Sequence, residues 1–137
     1  MSHHYLGFDF GVKYIGVAVG QDVTRTARPL KTLKQFHGVV NWTEIKKLVK
    51  EWSPKALIVG IPYGMNKKND WITEAAIKFS KDLALETACP VHMIDERLTT
   101  IEAREVLFDQ GGHKALVKEA IDAMAAKVML QTWLENQ

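Results

Sequence analysis

Three carboxylates stand where their neighbours give a charge little reason to be. Asp9 lies in an apolar stretch in which Leu6, Phe8 and Phe10 alternate with Tyr5 and Gly7, and an unpaired carboxylate buried there costs free energy or gives up its charge. Glu96 stands, with Asp95 before it, at the end of the short strand pattern Val91 to Ile94, the carboxyl end of a strand, where α/β proteins place their chemistry. Asp122 sits in an alanine-rich segment with Ala125, Ala126 and Met129 at i+3, i+4 and i+7; on a helix these share its face, and small neighbours let another element come close. Three carboxylates from three separate elements suit a shared hard cation, Mg²⁺ or Mn²⁺, which takes oxygen ligands together with water and substrate phosphates. Two such ions about 4 Å apart drive phosphodiester hydrolysis in many enzymes. Each residue also has a plainer reading. Asp9 could accept hydrogen bonds from turn amides, Glu96 could pair with Arg97, and Asp122 could pair with Lys118 at i−4.

Two glycine turns sit beside these acids. In Asp9-Phe10-Gly11-Val12-Lys13-Tyr14-Ile15-Gly16 a tight turn leaves backbone N–H groups open to a phosphate, with Lys13 as a point charge; an ordinary glycine hairpin has the same pattern. Gly60-Ile61-Pro62-Tyr63-Gly64, with Lys67 and Lys68 close behind, again ends an apolar run with a sharp turn.

Positioning these residues requires a sheet with helices against it. Residues 5–10, 15–20 and 24–33 follow the two-residue period of strands, and Pro29 marks the third as an edge strand or a bulge. Asn41 with Glu44 three residues on has the form of a capping box. It opens a helix whose Ile45, Leu48, Val49 and Trp52 share one face and which Pro54 stops. The continuous apolar run Ala56 to Ile61 fits a strand covered on both faces. Asp70 caps a second helix with core positions Ile72, Ala76, Phe79 and Leu83, and a strand follows at Val91 to Ile94. Thr99 and Glu102 open a further helix closed by Gly111-Gly112, and the last helix covers about Leu116 to Leu134. The order predicts an α/β mixed sheet.

The chain has 137 residues, 47% of them hydrophobic and 25% charged, with one cysteine. That is enough for a core without covalent staples, and it excludes an internal disulfide or a zinc site built on several thiolates. With no repeat or linker, residues 1–137 are expected to form a single domain. No apolar run approaches the roughly 20 residues of a membrane helix, and the first residues lack the pattern of a signal peptide. A cytoplasmic protein with no membrane partner is the expectation. The net charge of +2 divides unevenly: residues 1–60 carry nine basic and four acidic side chains, the remainder nine and twelve. A basic half fits an anionic partner, though solvated lysines on helix faces give the same count.

Four motifs in order, Asp9-x-Gly11-x-Lys13-x-x-Gly16, Val59-Gly60-Ile61-Pro62, Asp95-Glu96-Arg97-Leu98-Thr99-Thr100 and Lys118-x-x-x-Asp122-x-x-Ala125, resemble the YqgF/RuvX-like bacterial family over essentially the whole chain. That family is described both as Holliday junction resolvases and as nucleases processing the 5′ end of pre-16S rRNA. The resemblance implies a ribonuclease-H-like fold with a central five-stranded mixed sheet flanked by helices. It also implies metal-dependent cleavage with Asp9, Glu96 and Asp122 as catalytic and metal-ligating residues. Gly11, Lys13, Arg25, Arg28, Gly60, Pro62, Arg97, Thr99 and Lys118 are then the candidate substrate contacts, with Lys13, Arg25, Arg28 and Arg97 holding phosphates. The implied partners are structured RNA or four-way DNA junctions, and ribosomal precursor particles or the transcription machinery. Where the family shows a Leu-Asn pair and an Asp-Gly turn after the second motif, this chain has Tyr63-Gly64-Met65-Asn66-Lys67, so the resemblance implies the metal site but not the substrate contacts of that loop.

Other readings have less behind them. Of the histidines, 3, 4, 37, 92 and 113, only the adjacent His3-His4 could act together, and a terminus explains that pair. Ser53 and Ser80 lack a nucleophile elbow, and Cys89 before Pro90 reads as a packing or surface residue. Trp42 and Trp71, at helix starts, are candidates for exposure and base stacking. A non-catalytic binding module would need no carboxylate cluster. A phosphotransferase of the actin and hexokinase kind shares the Asp-x-Gly start but needs two such domains.

Overall fold

The computed structural model describes residues 2–63, 70–96 and 118–137. Its elements run β1 (His4–Phe10), β2 (Tyr14–Gln21), β3 (Thr26–Lys34), α1 (Trp42–Trp52), β4 (Ala56–Ile61), α2 (Asp70–Thr87), β5 (Val91–Asp95) and α3 (Lys118–Glu135). The five strands form one sheet in the order β3-β2-β1-β4-β5. The first three pair antiparallel, and β4 and β5 run parallel to β1. This is the expected mixed sheet with helices against it. The helix expected from Thr99 to Gly112 lies outside the described residues.

Strand periodicity divides the sheet into two faces of different character. Leu6, Phe8, Ile15, Val17, Val19, Leu33, Leu57, Val59 and Ile61 point to one side, and pack on Ile45 and Leu48 of α1 and on Ala76, Phe79 and Leu83 of α2. Phe79 is ringed by Phe8, Phe10 and Trp42, the last stacked on it with centroids 5.7 Å apart. Trp42 is therefore half-buried in this layer, while Trp71 stays 53% exposed. The opposite face is small. Gly7, Ala18, Ala56 and Ile58 lie under Ala126, Met129, Leu130 and Leu134 of α3.

The local signals account for most element ends. The Asn41 side chain accepts from the Glu44 N–H at 3.2 Å, giving the capping bond, while the Glu44 carboxylate turns to Lys31 at 3.4 Å. Ser53 closes α1 in the left-handed region and donates its N–H to Val49 O. β3 is an edge strand, and its pairing with β2 skips a residue, Val17 opposite Lys31 and Ala18 opposite Pro29. Pro29 marks both features, because it brings no N–H to the ladder. Asp70 is the first residue of α2 rather than a residue ahead of it.

Side chains on the small face would lift α3 away. A Cβ on Gly7 would stand 2.9 Å from Leu130 Cβ, and one on Gly20 would stand 2.7 Å from Leu134 Cδ1. At Gly16 it would collide with the backbone carbonyl of Asp122, which cannot swing aside as a side chain can. Gly16→Ala is accordingly expected to destabilise the protein by about 2–3 kcal/mol, read as a fall in melting temperature of roughly 10 °C. An unchanged melting temperature would show that α3 does not rest on β2 in this way.

Candidate functional site

Asp9, Glu96 and Asp122 are neighbours at one end of the small face. Asp9 is directly opposite Gly16 on β2 and Gly60 on β4, so the three residues form one row across the sheet and point to the same side. Both neighbours of Asp9 in that row lack a side chain, and each empty position is covered by another acid. The backbone carbonyl of Asp122 sits over Gly16, and a Cβ on Gly60 would fall 2.6 Å from Glu96 Oε1. Asp9 is half-buried, flanked by Asp122 from α3 on one side and by Glu96, the residue after β5, on the other. Glu96 is only 7% exposed, and its Oε1 and the Oδ2 of Asp122 are both closed off from solvent. The small residues around Asp122 serve as their spacing suggests, with Ala126 and Met129 buried against the sheet.

These three acids provide an all-oxygen donor set of the kind Mg²⁺ or Mn²⁺ takes, in a cradle that a Cβ at Gly16 or Gly60 would fill. Among the described residues no group of three or more His, Cys, Asp or Glu forms a ready-made metal site.

The remaining candidates fall into three groups. Gly11 and Lys13 form the turn that follows Asp9, with Lys13 exposed at its outer side. Gly60 is in the row itself, and Pro62 begins the loop after β4, where its carbonyl accepts from Thr73 Oγ1 at 3.0 Å and Tyr63 N–H turns back to Ile61 O. These stand at the carboxylate end of the sheet. Arg25 and Arg28 do not. They lie in the β2–β3 turn and early β3, at the opposite end, and the Arg28 guanidinium covers the Trp52 ring at 5.3 Å. Arg28 pairs with Val19, three residues beyond Gly16, so the sheet does not bring it to Asp9. Lys118 is the first residue of α3, four residues from Asp122; its side chain, together with Arg97 and Thr99, is outside the described residues, as are Lys67 and Lys68. Cys89 is half-buried after α2.

Sequence reasoning overlooked Gln35. Its side chain is buried, its Nε2 donates to Gly11 O, and its backbone N–H donates to Lys13 O at 2.8 Å. One side chain thereby fastens the turn after Asp9 to the end of β3. The available signal was phase: position 35 follows buried Leu33 by two residues, where alternation asks for an apolar residue. Gln35→Met keeps the volume but removes the donor. The expected loss is about 1–2 kcal/mol, with faster amide hydrogen exchange at residues 11–14 and unchanged exchange in β4. Equal exchange in both proteins would show that Gln35 does not hold the turn.

A family model described as "RuvX: Holliday junction resolvase" matches residues 3–136. A protein of Legionella pneumophila (strain Lens), named "Putative pre-16S rRNA nuclease", is 47% identical over 132 residues, covering 96% of this chain and 95% of its own length. One of the same name from Vibrio vulnificus is 47% identical over 138 residues, covering 100% of this chain and 99% of its own. Among solved structures, Thermus thermophilus RuvC in complex with a Holliday junction superposes with a TM-score of 0.61 at 16% identity, covering 98% of this chain and 94% of that one. The Fowlpox virus resolvase bound to junction DNA gives 0.58 at 13% identity, covering 97% of each chain. The structural likeness identifies the fold, that of RuvC and hence ribonuclease-H-like. With a family model matching residues 3–136 and relatives 47% identical over nearly their whole length, this chain belongs to the RuvX family.

Proposed function

We propose that the chain, acting as a single domain over residues 1–137, is a metal-dependent endonuclease that hydrolyses phosphodiester bonds in structured RNA, with the 5′ end of pre-16S rRNA as its substrate. The observation that carries this is the row Gly16–Asp9–Gly60, with Asp122 and Glu96 covering its two glycines. The relatives named for pre-16S rRNA support the choice of substrate. Family membership supports hydrolysis of phosphodiester bonds.

In this reading Asp9, Glu96 and Asp122 hold Mg²⁺ or Mn²⁺, which supplies Lewis acidity at the scissile phosphate. The protein's own groups do the remaining work. Closing Glu96 Oε1 and Asp122 Oδ2 off from bulk water strengthens their hold on positive charge. The Gly11–Lys13 turn, kept in place by Gln35, offers the Lys13 ammonium to a neighbouring phosphate. Arg97, Thr99 and Lys118 are assigned to the same end through their motifs. Arg25 and Arg28 are assigned to backbone further from the cut. Among the described residues no helix is long and apolar enough to cross a membrane, and we place the protein in the cytoplasm, with ribosomal precursor particles or the transcription machinery as partners.

A second reading is favoured by the family description and by junction-bound relatives of the same fold: resolution of four-way DNA junctions by the same residues. Labelled precursor rRNA and a synthetic four-way DNA junction, each with Mg²⁺, Mn²⁺ or EDTA, separate the two. Cleavage of the RNA alone with either metal and none in EDTA is expected; cleavage of the junction alone would transfer the assignment to the resolvase.

Asp9→Asn is expected to abolish cleavage of structured RNA in Mg²⁺ with the circular dichroism spectrum and melting temperature retained; full activity in that variant would remove the mechanism. Gly60→Ala tests the cradle without touching an acid. Its Cβ would stand 2.6 Å from Glu96 Oε1, 2.9 Å from Glu96 Cγ and 3.0 Å from the Sδ of buried Met129, so a stability loss of about 1–2 kcal/mol is expected beside a fall in cleavage of about 100-fold. Wild-type cleavage would show that Glu96 need not lie over Gly60.

A further inference from the structure

Beside the carboxylate end stands an apolar feature that hydrolysis does not require. After β3 the chain reverses through His37 and Gly38, with φ of +53° and +76°, the two consecutive positive φ values of a tight hairpin turn. Phe36 and Val39 flank the turn and exchange both backbone hydrogen bonds, Phe36 N–H to Val39 O at 3.3 Å and Val39 N–H to Phe36 O at 2.9 Å. Residues paired in this way place their side chains on one side. Both are large and apolar, and both face solvent, 62% exposed at Phe36 and 66% at Val39. The Lys34 ammonium lies 5.7 Å from the Phe36 ring centroid.

The finger is coupled to the candidate active site. Gln35, its first residue, is the one that fastens the Gly11–Lys13 turn, and Val12 in that turn is exposed as well. Thr32 pairs with Gly16 and so continues the Asp9 row onto β3. Phe36 is two strands across from Asp9 and four residues further on, roughly 16 Å away from strand spacing and rise. That is within about five nucleotides of duplex rise.

We infer that the Phe36–Val39 finger is a stacking platform for an unpaired base of the nucleic-acid substrate, with Lys34 held beside the ring to meet the adjoining phosphate. This rests on the proposed nuclease reading and deepens it, assigning to the finger the recognition of unpaired nucleotides next to the cut. Three observations single out a nucleobase as the occupant. A flat aromatic ring is offered to solvent, a cation stands against it, and the hydrogen-bonded hairpin that carries it is tied through Gln35 to the turn beside Asp9. Base stacking on an aromatic side chain contributes about 1–3 kcal/mol per base.

The test measures binding without catalysis. Wild type, Phe36→Ala, Phe36→Trp and Lys34→Gln are titrated in EDTA against a blunt RNA duplex and against the same duplex with a short single-stranded overhang carrying 2-aminopurine, with matched DNA versions alongside. Phe36→Ala is expected to weaken overhang binding by about 10-fold or more and to lose the fluorescence change of the stacked base, while binding the blunt duplex as wild type does. Phe36→Trp is expected to restore both. Lys34→Gln is expected to lower the salt slope of overhang binding by about one unit. An overhang affinity unchanged by Phe36→Ala, or an equal loss on blunt and overhang substrates, overturns the platform. The nuclease reading fails separately, by wild type that neither binds these nucleic acids in EDTA nor cleaves precursor rRNA or junction DNA in Mg²⁺ or Mn²⁺.

Discussion

The architecture depends on how closely α3 can approach the sheet. A helix carrying ordinary side chains packs about 10 Å from a sheet whose side chains fill the gap. Here the gap is closed by omission on the sheet side, because Gly7 lies under Leu130 and Met129, Gly20 under Leu134, and Gly16 under the backbone of Asp122 and Ala123. Close approach brings the backbone of Asp122 onto β2 beside Asp9. The same device is repeated on β4, where Gly60 makes room for Glu96. Two glycines, one on each neighbour of the central strand, thus convert a sheet surface into a place where three acids converge.

The two faces of the sheet divide the labour. The face covered by α1 and α2 is filled with large interlocking side chains, including the aromatic group around Phe79, and carries most of the apolar burial. It can be built without concern for chemistry. The α3 face has fewer large groups at its carboxylate end and tolerates three charges there. Surface ion pairs such as Lys46 with Glu86 at 2.9 Å and Lys78 with Asp82 at 2.7 Å add little to this scaffold. They do show that part of the basic excess in residues 1–60 is matched by the other half of the chain: Lys46 of α1 pairs with Glu86 of α2.

Much of the fold was legible because its signals are local. Alternation in β1 and β2, the continuous apolar run of β4, the Asn41 cap and the helical period of α1 each follow from steric or hydrogen-bonding rules acting over a few residues. Pro29 was informative because a missing donor has few tolerable positions. Asp9, Glu96 and Asp122 stood out as charges in apolar surroundings, but their convergence was not readable from spacing, since it depends on strand order and on α3 returning across the sheet. The role of Gly16 and Gly60 needed the register, which places them beside Asp9. Gln35 escaped notice because its partners, Gly11 and Lys13, lie more than twenty residues away, and its one local sign, a polar residue in the apolar phase after Leu33, does not say what it holds. Arg25 and Arg28 showed the reverse weakness: a basic residue in a basic half looks like a phosphate contact wherever the fold puts it, and Arg28 rests on Trp52 at the far end.

The outer strand β3 bears on how copies of the protein can meet. Its free edge is interrupted by the skipped residue near Val17 and Ala18, carries Pro29, and is lined by Arg28, Lys31 and Lys34. A strand so broken and charged resists pairing with a copy of itself, because the hydrogen-bond ladder cannot run through and like charges would be brought face to face. Two copies acting together, as paired symmetric cuts require, would have to associate through a surface other than a sheet continued across β3. The edge thus narrows the geometries open to any assembly, and among the described residues no strand lies beside the finger beyond Lys34 on that side.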